Sequence, residues 1–133
     1  MNELNRLKKL ANINESKDEW FVDNIETLTH DNTFYRKVLF TDKNVQLVVM
    51  SLSPGQEIGD EVHDGDQFIR IESGKCKFVL NGEEFTGEDG FSTVIPTGIN
   101  HNVINTGDDS LKLYAIYSPP EHEPGTEQEN KSK

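Results

Sequence analysis

The chain has 133 residues, with 13 Lys and Arg against 24 Asp and Glu, so its formal net charge is −11. This length suits one compact domain, and the acidic balance disfavours nucleic acid and anionic membrane surfaces as partners. The single cysteine, Cys76, excludes an internal disulfide framework, and no apolar run is long enough to span a bilayer, so we expect a cytoplasmic protein.

Residues 1–25 are predicted to form a separate N-terminal segment. Leu4, Leu7 and Ala11 share one face at helical spacing, which predicts a short amphipathic helix. We expect this helix to cover one end of the main domain, and the apolar residues 20–22 to pack onto a sheet.

The following segment carries the pattern of short β-strands. Runs rich in β-branched and aromatic residues occur at 34–41, 45–52, 67–72, 76–80, 91–95, 101–105 and 111–117. Asn81-Gly82 predicts a tight hairpin, because both central residues of a type I′ turn need a positive φ. No helix-period segment interrupts these runs, so an all-β sandwich or barrel is predicted over residues 26–120.

Residues 121–133 are predicted to form an acidic tail. Pro119-Pro120 ends the last strand, because proline cannot donate to a β-ladder. The sequence beyond has no apolar residue to anchor it, so we expect disorder from about Thr126. In an alternative arrangement the stretch 117–123 folds back across the barrel mouth and brings Glu121 or His122 near a site there.

Two of the four histidines have neighbours suited to metal chemistry. Glu61 and His63 alternate on an extended segment and point to the same face. Gln67 begins the next strand, and His101 opens another after the turn 96–98. Such a set suits a divalent cation, and the lack of a nearby thiolate argues against structural zinc. Glu61, His63 and His101 alone would leave coordination positions open. The alternative is a polar barrel mouth without a metal.

These residues lie in two motifs that resemble those of the cupin superfamily. The second cupin motif is matched at every fixed position and reads Gly90-x5-Pro96-x-Gly98-x2-His101-x3-Asn105. The first cupin motif is G-x5-H-x-H-x3-E-x6-G, and here it reads Gly55-x5-Glu61-x-His63-x3-Gln67-x6-Gly74. Glutamate thus replaces the first histidine, and glutamine replaces the glutamate. We interpret the motif glycines and proline as turn residues.

The resemblance covers about residues 34–117 and implies a small jelly-roll β-barrel, of the single-domain type labelled mannose-6-phosphate isomerase-like. It also implies a bound divalent metal (Mn, Fe, Zn or Ni) with four ligands: Glu61, His63, Gln67 and His101. An amide oxygen is a weaker donor than an imidazole, so the expected metal affinity is lower than in a standard cupin. Gln67 is therefore interpreted as a weak ligand or as a contact to substrate.

Three functions agree with this resemblance. The first is a metal-dependent enzyme acting on a small polar substrate, of the sugar isomerase or epimerase type or the dioxygenase type, with Glu61 and Gln67 as candidate catalytic residues. The second is a non-catalytic binding or sensing module with a weak or structural metal site, which the two motif substitutions favour. The third is a structural barrel. Cupins commonly pair through sheet faces, so a homodimer is expected.

Five other residues receive structural predictions. Asn105 is predicted to hold a turn, and Cys76 to fill the core because it lacks a basic activator on its own face. Tyr114 and Tyr117 have opposite parity on the last strand, so at most one can face a cavity. His122 is predicted to lie at the surface.

Overall fold

The computed structural model of the chain describes residues 19–131. Within this range one helix, α1 (Ile25–Asp31), precedes nine strands: β1 (Arg36–Thr41), β2 (Gln46–Leu52), β3 (Asp66–Ser73), β4 (Lys75–Leu80), β5 (Glu83–Glu88), β6 (Ser92–Ile95), β7 (His101–Asn105), β8 (Leu111–Ser118) and β9 (Glu127–Gln128). The predicted all-β class is confirmed. No helix in the described range combines the length and the apolar character needed to cross a membrane.

The strands form two antiparallel sheets. The large sheet has the order β6-β3-β8-β2-β1-β9, and the small sheet has the order β5-β4-β7. One buried apolar cluster joins them, with Ile69 and Leu113 from the large sheet and Phe78 and Val103 from the small one. The described chain is therefore the two-sheet jelly roll that was predicted, although the strands do not continue into one closed barrel.

Local sequence explains the sharpest reversals of the chain. Asn81 and Gly82 connect β4 to β5 with φ values of 48° and 84°, as the hairpin prediction requires. Gly74, between β3 and β4, has a φ of 100°, and a Cβ there would lie 3.0 Å from the carbonyl oxygen of Ser110. The predicted turn role of this motif glycine is thus confirmed.

The helix of the structure differs from the predicted one. The predicted helix at residues 1–11 lies outside the described residues. Helix α1 instead begins at Ile25. Asn24 is its N-cap, and Oδ1 of Asn24 accepts a hydrogen bond from the backbone N of Thr27 at 3.0 Å. Trp20 and Val22 are 64% and 79% exposed, so the prediction that this patch packs onto a sheet is wrong for these two residues, whereas Phe21 is half-buried.

The C-terminal segment is part of the fold. Strand β9 pairs with β1, and the backbone N of Val38 donates to the carbonyl oxygen of Thr126 at 2.8 Å. Nη1 of Arg36 donates to Oε1 of Gln128 at 2.6 Å. The prediction of disorder is therefore wrong for residues 126–131, since backbone hydrogen bonds anchor a segment that has no apolar side chain. The domain division stays a prediction: residues 1–25, 26–120 and 121–133.

Candidate metal centre

Glu61 and His101 are directly opposite each other on two adjoining extended segments. The backbone N of Glu61 donates to His101 O at 2.8 Å, and the N of His101 donates to Glu61 O at 2.9 Å. This reciprocal pair places both side chains on one face. His63 lies two residues after Glu61 and shares that face, and its carbonyl oxygen accepts from the N of Gly98 at 3.1 Å.

The three side chains converge as the sequence predicts. Glu61, His63 and His101 each offer one ligand atom, and these atoms all lie within 4.8 Å of one another. The two imidazole rings have centroids 5.0 Å apart, and both histidines are buried. Oε1 of Glu61 lies 3.7 Å from Nε2 of His63. The arrangement is a compact set of two imidazoles and one carboxylate.

The orientation of His101 is set by its own backbone neighbourhood. Nδ1 lies 2.9 Å from the carbonyl oxygen of Ile99. A carbonyl oxygen only accepts, so Nδ1 carries the proton and Nε2 has the free lone pair. Nε2 is buried and has no hydrogen-bond partner among residues 19–131.

His63 faces two carboxylates, one at each ring nitrogen. Nε2 faces Glu61, whereas Nδ1 lies 3.0 Å from Oε1 of Glu121. That oxygen lies off the direction of the ring N–H bond, so the close approach is not a well-aligned hydrogen bond. The stretch 117–123 therefore does fold back towards the site, as one alternative from the sequence proposed.

We call residues 119–131 the C-terminal strap. A fully buried glutamine in β2, Gln46, fastens its beginning. Oε1 of Gln46 accepts from the backbone N of Glu121 at 3.1 Å and of His122 at 2.9 Å. Nε2 donates to His122 O at 2.7 Å and to Oγ1 of Thr41 at 2.9 Å. Gln46 thus uses both of its donors and accepts two hydrogen bonds. Our sequence analysis missed Gln46, although a polar residue at an inward position of an apolar strand is a readable signal.

His122 belongs to the strap and is half-buried, so the prediction that it lies at the surface is wrong. Its ring packs edge-on against Tyr117, with the centroids 5.2 Å apart. Burial, followed by the positive charge of Arg36 and by His63, lowers the pKa of His122 to about 4. The imidazole is therefore neutral at pH 7, and its buried Nε2 has no hydrogen-bond partner in the part of the chain that the structure describes.

Gln67 lies on the inner face of β3, in register with Tyr117 of β8. Its side chain is buried, and no described residue forms a hydrogen bond with its Oε1. The ring centroid of Tyr117 is 5.6 Å from that of His63. Gln67 is therefore adjacent to a residue that packs against one of the three converging side chains. Whether Gln67 is a ligand stays a prediction.

The parity prediction for the two tyrosines of β8 is confirmed. Tyr117 is buried on the inner face, whereas Tyr114 lies on the outer face with its ring 6.2 Å from that of Phe68. Burial, followed by the negative charge of Glu61, raises the pKa of Tyr117, so its hydroxyl keeps its proton.

The positive charge of Arg36 is close enough to this polar interior to lower the pKa of His122. The guanidinium of Arg36 lies 5.1 Å from the ring centroid of Tyr35, and its Nε is buried without a hydrogen-bond partner within the described range. Burial raises the pKa of Tyr35, and the charge of Arg36 opposes that shift. Arg36 lies outside both motifs, so our sequence analysis did not single it out.

The structural predictions for Asn105 and Cys76 are confirmed. Nδ2 of Asn105 donates to the carbonyl oxygens of Leu52 and Asp109, both at 2.9 Å, and its Oδ1 accepts from the N of Gly107 at 2.9 Å. Asn105 therefore holds the turn after β7. Burial raises the pKa of the Cys76 thiol to about 11, which keeps it protonated and unreactive at neutral pH.

Comparison with known proteins places the chain in a family. The family model described as a cupin domain matches residues 48–117. The chain belongs to the cupin family. The uncharacterized protein YrkC of Bacillus subtilis is 45% identical over 120 residues, which are 84% of this chain and 64% of YrkC. This cupin thus spans less than two thirds of that relative's length.

Two further relatives are similar over most of this cupin. The uncharacterized protein L612 of Acanthamoeba polyphaga mimivirus is 41% identical over 115 residues, covering 83% of this chain and 72% of L612. The crystal structure of BH2720 from Bacillus halodurans superimposes with a TM-score of 0.82 at 38% identity, covering 85% of this chain and 91% of BH2720. The matched cupin domain ends at Tyr117, so Glu121 and the strap lie beyond it.

Proposed function

We propose that this cupin binds a divalent metal ion through Glu61, His63 and His101. The observation that carries the proposal is the convergence of one carboxylate and two buried imidazoles, with their ligand atoms within 4.8 Å of one another. Nε2 of His101 has no hydrogen-bond partner among the described residues, and an unsatisfied buried polar atom costs about 1–3 kcal/mol. A cation at this position would satisfy the imidazoles and the carboxylate together.

The donor set narrows the choice of metal. Two imidazoles and one carboxylate suit Fe, Mn, Zn or Ni and leave coordination positions open. Gln67 supplies either a weak fourth donor or a contact to the substrate, through its buried and unpartnered Oε1. When bound, such an ion supplies Lewis-acid or redox chemistry to a molecule that occupies the open positions.

The proposed activity is that of a metal-dependent enzyme on a small polar substrate, of the sugar isomerase or epimerase type or the dioxygenase type. In this proposal Gln67 accepts a hydrogen bond from a substrate hydroxyl, and Glu61 is the second residue to touch the substrate. Tyr117 lies beside them, and its hydroxyl keeps its proton at neutral pH. A reducing compartment such as the cytoplasm suits the single, buried thiol of Cys76.

The second candidate function is non-catalytic binding or sensing of a small molecule, with a weak or structural metal. The observation that favours it is the donor set itself. Gln67 stands where the first cupin motif has a glutamate, and Glu61 stands where it has a histidine. An amide oxygen at a ligand position weakens the hold on the metal.

Metal analysis tests the proposal directly. The full chain, purified without chelator, is expected to carry close to one equivalent of a divalent metal or to bind one on titration. The double variant His63→Ala/His101→Ala is expected to bind none. Substoichiometric metal that is the same in both proteins would contradict the metal site. Bound metal without turnover on sugar and dioxygenase substrates would favour the binding module over the enzyme.

We also propose that the chain pairs with a second copy through the outer face of the large sheet. Val94, Phe68, Ile116 and Leu47 are neighbours across four strands of that face, and Val94 is 68% exposed. Such an apolar row is typical of an interface. Light scattering is expected to give twice the chain mass for the wild type and a lower mass for Val94→Glu. Phe85→Glu, on the small sheet, is the control and should behave as wild type.

A further inference from the structure

We infer that Glu121 is a positioning residue for His63. In this reading the Glu121 carboxylate holds the proton on Nδ1 of His63 and so presents the lone pair of Nε2 to the centre formed with Glu61 and His101. The inference rests on the proposed metal site, but its first consequence, the tautomer of His63, exists without any metal.

The imidazole of His63 lies between two carboxylates. Oε1 of Glu121 lies 3.0 Å from Nδ1, while Nε2 on the opposite side of the ring lies 3.7 Å from Oε1 of Glu61. An ionised carboxylate only accepts hydrogen bonds, so the nitrogen that faces Glu121 is favoured as the protonated one. The side chain of Glu121 is 39% exposed, which leaves its carboxylate room to turn into line with the N–H bond.

His101 and His63 each have an oxygen atom close to Nδ1. His101 has the carbonyl oxygen of Ile99 at its Nδ1 and an unpartnered Nε2. A ligating histidine generally donates its other ring N–H to a carbonyl or a carboxylate, which fixes the tautomer and makes the ligand more basic. His101 receives this support from a backbone carbonyl. Within the described residues, Glu121 is the group placed to give it to His63.

Hydrogen bonds at both ends of the strap hold the backbone of Glu121 in place. Its backbone N donates to Oε1 of Gln46, a residue with no exposed surface. At the far end of the strap, Nζ of Lys131 donates to the carbonyl oxygen of Glu57 on the segment that leads to Glu61. The backbone of Glu121 is therefore fixed relative to His63, although no motif contains either Glu121 or Gln46.

The strap also provides a control for charge alone. Glu123 lies two residues after Glu121 and is exposed. Its carboxylate has no ion pair with any residue in the described range. The substitutions Glu121→Gln and Glu123→Gln remove the same charge from nearly the same place. If Glu121 acted only through its charge, both substitutions would lower the affinity for a cation equally. If Glu121 positions His63, only the substitution of Glu121 lowers it.

The first experiment measures the tautomer of His63 in the metal-free protein, from the ¹⁵N chemical shifts of the two ring nitrogens. In the wild type and in Glu123→Gln, the proton is expected on Nδ1. In Glu121→Ala the population with Nδ1 protonated is expected to fall, and in Glu121→Gln, which keeps an acceptor oxygen, to fall less. Equal tautomer populations in Glu121→Ala and the wild type would overturn the inference.

The second experiment measures the affinity for Zn²⁺ and Co²⁺ by competition with a chelator. Loss of an outer-shell partner costs about 10–100-fold in affinity, and the partial exposure of Glu121 points to the lower end, about 10-fold for Glu121→Ala. Glu121→Gln should lose less, and Glu123→Gln should match the wild type. Equal losses in Glu121→Gln and Glu123→Gln would overturn the inference. A wild type that binds neither ion would instead refute the proposed function, and the tautomer measurement would still decide the role of Glu121.

Discussion

The two histidines of the candidate centre are supported in different ways. His101 begins strand β7, and the backbone carbonyl of Ile99, two residues away, sets its ring. His63 lies in the connection between β2 and β3, and the group at its outer nitrogen comes from Glu121, 58 positions later in the chain. The orientation of His101 is therefore encoded locally, whereas that of His63 requires a segment outside the cupin match.

The largest expected effect tests Glu61, the carboxylate among the three converging side chains. Glu61→Gln keeps the shape of the side chain but removes the carboxylate, so the affinity for Zn²⁺ is expected to fall more than about 100-fold, beyond the cost of losing an outer-shell partner. The measurement is the same chelator competition. Asp60→Asn is the matched control, because Asp60 is the exposed neighbour of Glu61. Equal affinities in the two variants would show that Glu61 is not a ligand.

The second expected effect concerns the locally encoded turn after β7. Asn105 is 1% exposed and closes the second motif with three hydrogen bonds to backbone groups. Asn105→Ala leaves buried backbone groups without partners, so the free energy of unfolding is expected to fall by about 1–3 kcal/mol. Urea denaturation of the metal-free protein measures it, with the exposed Asn100→Ala as control. A loss no greater than that of the control would mean that water replaces Asn105.

Short-range patterns in the sequence were sufficient to bring Glu61, His63 and His101 together and to predict much of the fold. Alternation along extended segments places Glu61 and His63 on one face, and the turn before His101 brings that residue opposite Glu61. The hairpin at Asn81-Gly82 also follows from local chemistry, because few other residue pairs accept two positive φ values. These features depend on residues that are close in the chain.

The features that the sequence did not reveal depend on distant backbone contacts. The strap is held by pairing between β9 and β1 and by Gln46, and neither contact leaves a hydropathy signal in an acidic, proline-containing segment. Helix α1 has seven residues, too few for an apolar period to stand out. Glu121 and His122 were therefore considered near the site only as an alternative, although the structure places both beside it.

The third expected effect decides the role of Gln67, the first-motif residue that lies on strand β3. If its buried Oε1 faces the metal, Gln67→Glu adds a charged donor, and the affinity for Zn²⁺ is expected to rise about 10-fold, or about 1.4 kcal/mol. Gln56→Glu adds the same charge to the preceding loop and is the control. An unchanged affinity in Gln67→Glu would indicate a contact to substrate instead.

The smallest expected effect concerns the link between the two motifs. Oδ1 of Asp66 accepts from the backbone N of Thr97 at 3.0 Å and from its Oγ1 at 3.2 Å, which ties the first motif to the turn before His101. These hydrogen bonds are exposed, so Asp66→Ala is expected to lower the free energy of unfolding by about 0.5–1.5 kcal/mol.

The metal affinity should change little in Asp66→Ala, because backbone hydrogen bonds hold the same motifs together. The N of Gly98 still donates to His63 O, and the reciprocal pair between Glu61 and His101 does not involve Asp66. Asp64→Ala is the control, since only the backbone oxygen of Asp64 contacts Thr97. A fall in affinity confined to Asp66→Ala would mean that the turn at Thr97, and not the backbone pairing, sets the distance between the two histidines.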